Sequence, residues 1–237
     1  MNKRIRSALA TLTMVVLLCT VCILFRNEPN TVSVSRMNDT LIYAVAYRDI
    51  ELLEEDIAYY QKQQFNIILP KNISEAAGSR NLIIILEFGN PDEMQKAVEM
   101  LNNARIPSVI LIVSGYSNIN VETIKNTYRD SEFEFAVSFE INGYNEVDVV
   151  RAITDCRMRF YLGYGESAEI LVHSCGQLFC EDMEKLTKCE CFAKLSVFTC
   201  GNGVNKLNSS SGLLIFNRIV RLPDWSIADY FSSIAIL

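Results

Sequence analysis

One short stretch, Leu82 to Val113, constrains the fold more than any other part of the sequence. Leu82-Ile83-Ile84-Ile85-Leu86 is an unbroken apolar run, suited to a strand buried on both faces. Met94, Ala97, Val98 and Leu101 then recur at the spacing of one helical face, and Ser108 to Val113 is a second apolar strand. Two such strands joined through a helix form the repeating unit of a parallel sheet, which needs helices to cover it.

The rest of the chain keeps this rhythm. Strands are expected at Leu41–Ala46, Phe65–Leu69, Leu82–Phe88, Ser108–Val113, Phe133–Phe139, Ala168–Val172, Leu195–Thr199 and Leu213–Ile219. Helices are expected at Asp49–Gln63, Asp92–Ala104, Val121–Tyr128, Glu146–Arg159, Leu178–Thr187 and Ser226–Ile234. No Gly-x-Gly-x-x-Gly follows the first strand, so the expected fold class is α/β, a small or incomplete barrel rather than a dinucleotide fold. There is no internal repeat, and Asn208-Ser209-Ser210-Ser211 reads as a loop.

Glu87-Phe88-Gly89-Asn90, at the end of one strand, carries a resemblance to the polysaccharide deacetylase family, also called the NodB homology or carbohydrate esterase family 4 domain. In that family a strand ends in Thr-Phe-Asp-Asp-Gly, and an Ile-Pro-Ala-Thr turn enters the next strand. Phe88 and Ile106-Pro107-Ser108 fit, while Gly89 and Asn90 stand where the family has its two aspartates. Leu41 to Ala76 is similar to the family's lead-in. Glu134 to Asn142 resembles the motif Glu-Ile-Gly-Ser-His-Thr-x-x-His, with Ser138 and Asn142 on the two histidines. Ile170 to Gly176 resembles a Tyr-Pro-Tyr-Gly turn, with Ser174 and Cys175 for Pro and Tyr, and Arg218-Ile219 matches a closing pair. The likeness spans roughly residues 41 to 235 in element order and spacing.

The resemblance implies metal-assisted removal of an acetyl group from a sugar, with one aspartate as base and a second aspartate and two histidines on a divalent metal. Gly89, Asn90, Ser138 and Asn142 offer no base and only neutral oxygen donors. Catalysis, and the family's zinc or other divalent ion, are therefore expected to be lost, with no cofactor in their place. A rebuilt hydrolytic site on Glu87, Glu140 and His173, the one histidine of the chain, is the competing arrangement; a lone histidine at a strand end is more often simply packed. Other catalytic motifs, such as Gly-x-Ser-x-Gly, the phosphate loop and His-Glu-x-x-His, are absent. Trp225 and tyrosines such as Tyr43, Tyr47, Tyr116, Tyr144, Tyr161 and Tyr164 offer stacking faces for a saccharide, though core packing is their commoner use.

Lys3, Arg4 and Arg6 precede an uncharged run of 18 residues from Ala8 to Phe25, closed by Arg26. The run is long for a secretory segment and just long enough to span a bilayer, so residues 1–26 read as an uncleaved signal anchor, with a cleaved signal peptide and secretion as the alternative. Basic residues before the run put the C-terminal part outside. Residues 27–40 read as a tether, leaving a deacetylase-like domain at 41–237. Beyond residue 26 there are 18 basic and 28 acidic residues, a net charge of −10, which offers no electrostatic footprint for nucleic acid as a partner and does not draw anionic wall polymer either. Of the eight cysteines, Cys156, Cys175, Cys180, Cys189, Cys191 and Cys200 lie outside the apolar run. An even number suits disulfides in an exported domain, with the pairing open, whereas their spacing suits zinc poorly. The expected protein is a membrane-anchored, extracytoplasmic and catalytically degenerate deacetylase-like domain that binds cell-wall glycan or another envelope protein. An active carbohydrate deacetylase and a structural module of a membrane complex are the alternatives.

Overall fold

The computed structural model describes residues 40–112, 121–127, 132–140, 149–174, 180–206 and 213–234. Its first half runs β1 (Leu41–Tyr47), α1 (Ile50–Lys62), β2 (Asn66–Ile67), a 3-10 turn (Pro70–Glu75), β3 (Asn81–Leu86), α2 (Pro91–Asn103), β4 (Ser108–Ile112) and α3 (Val121–Thr127). The second half runs β5 (Phe133–Phe139), α4 (Val149–Tyr164), β6 (Ile170–His173), α5 (Cys180–Lys188), a 3-10 turn (Glu190–Phe192), β7 (Ser196–Cys200), β8 (Val204–Lys206), β9 (Leu214–Val220) and α6 (Ile227–Ile234).

Alternation along β1 decides the architecture. Ile42, Ala44 and Ala46 belong to one buried cluster, Tyr43, Val45 and Tyr47 to another. On β3, Ile83 and Ile85 join the first cluster, and Leu82, Ile84 and Leu86 the second. The first set is enclosed by the sheet and the second lies under the helices, because strands apolar on both faces need a cover on each. β1 pairs in parallel with β3 on one edge and with β9 on the other, and the ladder continues through β4, β5, β6 and β7 to β9. Seven parallel strands thus close into a barrel. Small side chains at Ala44, Ala46 and Ala136 leave interior space that the stacked rings of Phe198 and Phe216 fill, with centroids 5.0 Å apart.

β2 is shorter than the expected 65–69 strand, because Pro70 has no N–H to extend a ladder and begins the 3-10 turn instead. With β1 along one edge of β3, the other edge is divided: β2 holds Asn81 and Leu82, and β4 holds Ile85 and Leu86. Asn81 pins this divided end, donating to the carbonyls of Leu41, Ala77 and Gly78 at 3.0–3.2 Å and accepting from Asn66 and the Ala77 N–H. It is fully buried, and its amide satisfies backbone groups that the split ladder leaves open.

Local chemistry sets the helix ends. Asp49 caps α1 by accepting from the Glu51 N–H at 2.8 Å, and Asn90 caps α2 by accepting from the Asp92 N–H at 2.9 Å, with Pro91 at the first helical position. Just beyond the C-caps of these helices, Gln64 (φ 56°) and Arg105 (φ 55°) take the left-handed conformation usually given to glycine. Tyr43, Tyr59, Phe65, Tyr230 and Phe231 form an aromatic cluster that fastens α6 to α1 and β1. Tyr43 and Tyr47 therefore face the helices, not a saccharide groove; Tyr116 and Tyr144 lie outside the described residues.

α4 runs to Tyr164, past the expected end at Arg159, because Phe160 is buried and packs its ring against that of Tyr164. β8 was not expected from the sequence. It pairs antiparallel with β1, and Asn205 ties it down by donating to the carbonyls of Ile42 and Asn217 and accepting from the Asn217 N–H. The expected signal anchor lies outside the described residues, among which no helix is long and apolar enough to cross a membrane. Cys156, Cys189, Cys191 and Cys200 are free thiols, so no disulfide joins any two of these four. Cys156 turns to the Ser138 carbonyl and Cys200 to Arg218; Cys175 lies outside the described residues.

Candidate functional site

In a parallel barrel the C-terminal strand ends share one rim, where chemistry is usually found. Glu87, just past β3, is held there by two arginines. Arg48, just past β1, donates from Nε (3.1 Å) and Nη2 (2.9 Å) to Oε2. Arg218, near the end of β9, donates from Nε to Oε1 at 2.5 Å and from Nη1 to the Cys200 sulfur at 3.1 Å. The side chains of Glu87 and Arg218 are 3% and 1% exposed, whereas that of Arg48 is 56% exposed. Burial, the largest influence, would lower the Arg218 pKa, but the Glu87 carboxylate and the Cys200 sulfur together outweigh it, so the pKa is raised and the guanidinium stays charged.

The other expected site residues take separate roles. Gly89 is exposed, and a Cβ there would meet nothing within 4 Å. Asn90 spends its side-chain oxygen on the α2 cap. Ser138 is buried on β5 in the same alternating set as Ala136, and its carbonyl accepts from the Cys156 thiol at 3.1 Å. Burial pushes that thiol up to about 12, so Cys156 is a packed residue and not a nucleophile. The Ser174 hydroxyl donates to the Phe139 carbonyl at 2.8 Å and helps close the β5–β6 seam. Asn142 lies outside the described residues.

Among the described contacts none joins Glu87, Glu140 and His173 into an acid/base group. His173 follows Val172, an interior residue of β6, so alternation turns it outward, where its buried ring rests 5.1 Å from that of Phe139. Glu140 is exposed, and Glu87 is committed to its arginines. Among the described residues the rim does not fit the family metal, since no three His, Cys, Asp or Glu side chains there are grouped to hold one ion. Sequence reasoning passed over Arg48, weighed Cys200 only as one of six cysteines, and noticed Arg218 only as half of a motif. An arginine in the inward set Leu214, Phe216, Arg218 was the readable signal.

A separate cavity of about 430 Å³ lies at the opposite, N-terminal end of β5 and β6, lined by residues that include Lys71, Lys125, Glu134, Phe135, Glu166 and Glu169. Lys125 pairs with Glu166 there and sits over the Phe135 ring. Burial raises the Glu134 carboxyl, with Lys71 acting against it. Glu134, which aligns with a glutamate of the family motif, is thus remote from the rim.

No family model matches the chain, and no curated protein matches it. Solved structures do. IcaB from Ammonifex degensii matches with a TM-score of 0.60 at 10% identity, covering 83% of this chain and 96% of that one. The Streptococcus pyogenes deacetylase PplD in complex with acetate matches with a TM-score of 0.58 at 12% identity, covering 81% and 96%. The chain has the polysaccharide deacetylase fold. BC0361, a polysaccharide deacetylase from Bacillus cereus, gives a TM-score of 0.61 at 10% identity, covering 82% and 69%. At such identities the likeness is one of fold, and in this deacetylase-fold chain the rim carries an arginine-clamped glutamate.

Proposed function

We propose that the chain is a catalytically degenerate polysaccharide deacetylase-like protein whose barrel mouth binds cell-wall glycan or an envelope protein without hydrolysing it. The observation that carries this reading is the rim itself. Its buried carboxylate is neutralised by two guanidiniums, its asparagine caps a helix, and the lone histidine faces away. A base must be free to take a proton from water, and a Lewis acid must have anionic or imidazole ligands; the described rim offers neither. On this reading the family metal and every other cofactor are dispensable.

The protein is further proposed to sit in a cell membrane through residues 1–26, with the barrel outside. Three basic residues before an 18-residue apolar run support that orientation. The runner-up is an active carbohydrate deacetylase, favoured by the fact that the solved structures it resembles include named deacetylases.

Elemental analysis of the full chain, together with an assay of acetate release from acetylated chito-oligosaccharides, separates the two. The expected result is less than one tenth of a divalent ion per chain and no acetate above the uncatalysed rate, with or without added zinc. One tightly held ion per chain, with metal-dependent acetate release, would restore the enzyme.

A further inference from the structure

We propose that the barrel mouth recognises an oxyanion carried by an acidic glycan, docked on the free end of the Arg48 guanidinium. This rests on the reading of the mouth as a binding site that does not hydrolyse its ligand, and it names the ligand's chemistry.

Charge balance is the first ground. Two guanidiniums meet one carboxylate, and among the described residues Glu87 is the one acid that either arginine bonds. Arg218 cannot relax into water, being 1% exposed, so its charge is a fixed part of the wall. The cluster therefore carries one positive charge in excess, partly withdrawn from solvent, where it is screened less than on an open surface.

Donor geometry is the second. A guanidinium presents five N–H groups on two usable edges. Arg48 spends its side edge, Nε and Nη2, on Glu87 Oε2, which leaves the end formed by Nη1 and the second Nη2 hydrogen. No described residue takes those hydrogens, and the side chain is 56% exposed. That end matches two oxygens of a carboxylate or phosphate in a bidentate pair.

Space is the third. Two residues after Glu87, Gly89 is exposed, and no described residue comes within 4 Å of where a side chain would begin. The neighbouring acids do not fill the role: Asp49 is bonded to the first turn of α1, and Glu140 is exposed and forms no ion pair with either arginine. Because the whole chain carries a net charge of −6, an anion is not steered in from a distance. Recognition acts at contact range and weakens as salt rises.

The test is equilibrium binding to the full chain in detergent of three probes: an oligogalacturonate, its fully methyl-esterified form, and an oligo(glycerol phosphate). The acid is expected to bind at least about tenfold more tightly than the ester, the scale of losing one bidentate charged pair. Arg48→Met should bring the two to within about twofold, and Gly89→Asp, which puts a carboxylate into open space on the same rim, should do the same without touching either arginine. Tighter binding of the phosphate oligomer, with the same dependence on Arg48, supports an oxyanion site and assigns its source to phosphate. Equal binding of acid and ester, binding unchanged in both variants, or binding of no probe overturns the proposal. Acetate release from an acetylated oligomer would instead sink the non-hydrolytic reading on which it rests, so the two failures are told apart.

Discussion

The clamp on Glu87 should show a particular asymmetry in a double-mutant cycle. With Glu87 and Arg218 3% and 1% exposed and bonded at 2.5 Å, Arg218 has Glu87 as its one charged partner among the described residues, whereas Glu87 also has Arg48. Two unit charges about 4 Å apart interact by about 4 kcal/mol at an effective dielectric of 20, and removing one partner of a buried pair costs roughly 3–5 kcal/mol. Arg218→Met leaves Glu87 still bonded to Arg48, so its cost should sit at the lower end, about 3 kcal/mol. Glu87→Met strands Arg218 in the wall and also frees Arg48, so it should cost more, about 4–5 kcal/mol. The double variant removes both buried charges and should lie within about 1.5 kcal/mol of the parent. Urea unfolding followed by the single tryptophan, Trp225, and by circular dichroism measures all four proteins. For a chain of this length a 3 kcal/mol loss lowers Tm by about 6–12 °C, well within reach of a thermal scan. Because the pair raises the Arg218 pKa, its contribution is fully present below the ordinary arginine range and should not vary between neutral pH and pH ~10. If the two single losses simply add in the double variant to within about 0.5 kcal/mol, the residues are not coupled and the clamp is misread.

Three other outcomes are expected. Asp56 is buried against Arg221 (2.7 Å) and the Tyr47 hydroxyl (3.0 Å), and burial raises its pKa despite both bonds. The folded state then holds this proton more tightly than the unfolded chain, so wild type should lose stability relative to Asp56→Asn as pH rises through the carboxylate range, read from urea midpoints at pH 4 and 7; the opposite trend would show that Arg221 dominates. Gly203 has φ +75°, and a Cβ there would fall 2.5 Å from the Tyr230 hydroxyl oxygen and 3.1 Å from the Ala44 carbonyl, so Gly203→Ala should cost at least about 2 kcal/mol in the same unfolding assay. Arg105→Gly relieves a left-handed residue beyond the C-cap of α2 and should change stability by about 0 to +1 kcal/mol, a loss greater than about 1 kcal/mol counting against this cap.

The barrel was legible because its strands are apolar on both faces, a pattern that Leu82–Leu86 and Ser108–Ile112 display without ambiguity. What escaped was short or polar. β8, Val-Asn-Lys, is three residues long and depends on the Asn205 amide bonding across two strands, which no periodicity signals. α4 runs on past Arg159 through Gly163, a poor helix former, because the Phe160 and Tyr164 rings pack together across that last turn. At the site, the strand ends were readable but not the facing of each residue. His173 and Ser174 are neighbours, yet one rests against an outer ring and the other bonds the β5–β6 seam, a difference set by pairing register. The Glu87–Arg218 pair joins residues 131 positions apart, beyond any local pattern.

The pairing of β1 with β9, Val45 beside Ile219 and Ala46 beside Val220, has a consequence for biogenesis. One edge of the first strand can be capped early by β3, but its other edge waits for β8 at Leu41–Tyr43 and then for β9 at Val45 and Ala46, both made late. Until residue 220 leaves the ribosome, or the export channel if the chain is translocated, β1 and β7 both present unsatisfied N–H and C=O rows flanked by apolar side chains. Closure is therefore a late, long-range event, slow by the loop-length argument, and a chain truncated before Leu214 retains the open edge of β7 and the Val45–Ala46 part of β1 however well its earlier strands have paired.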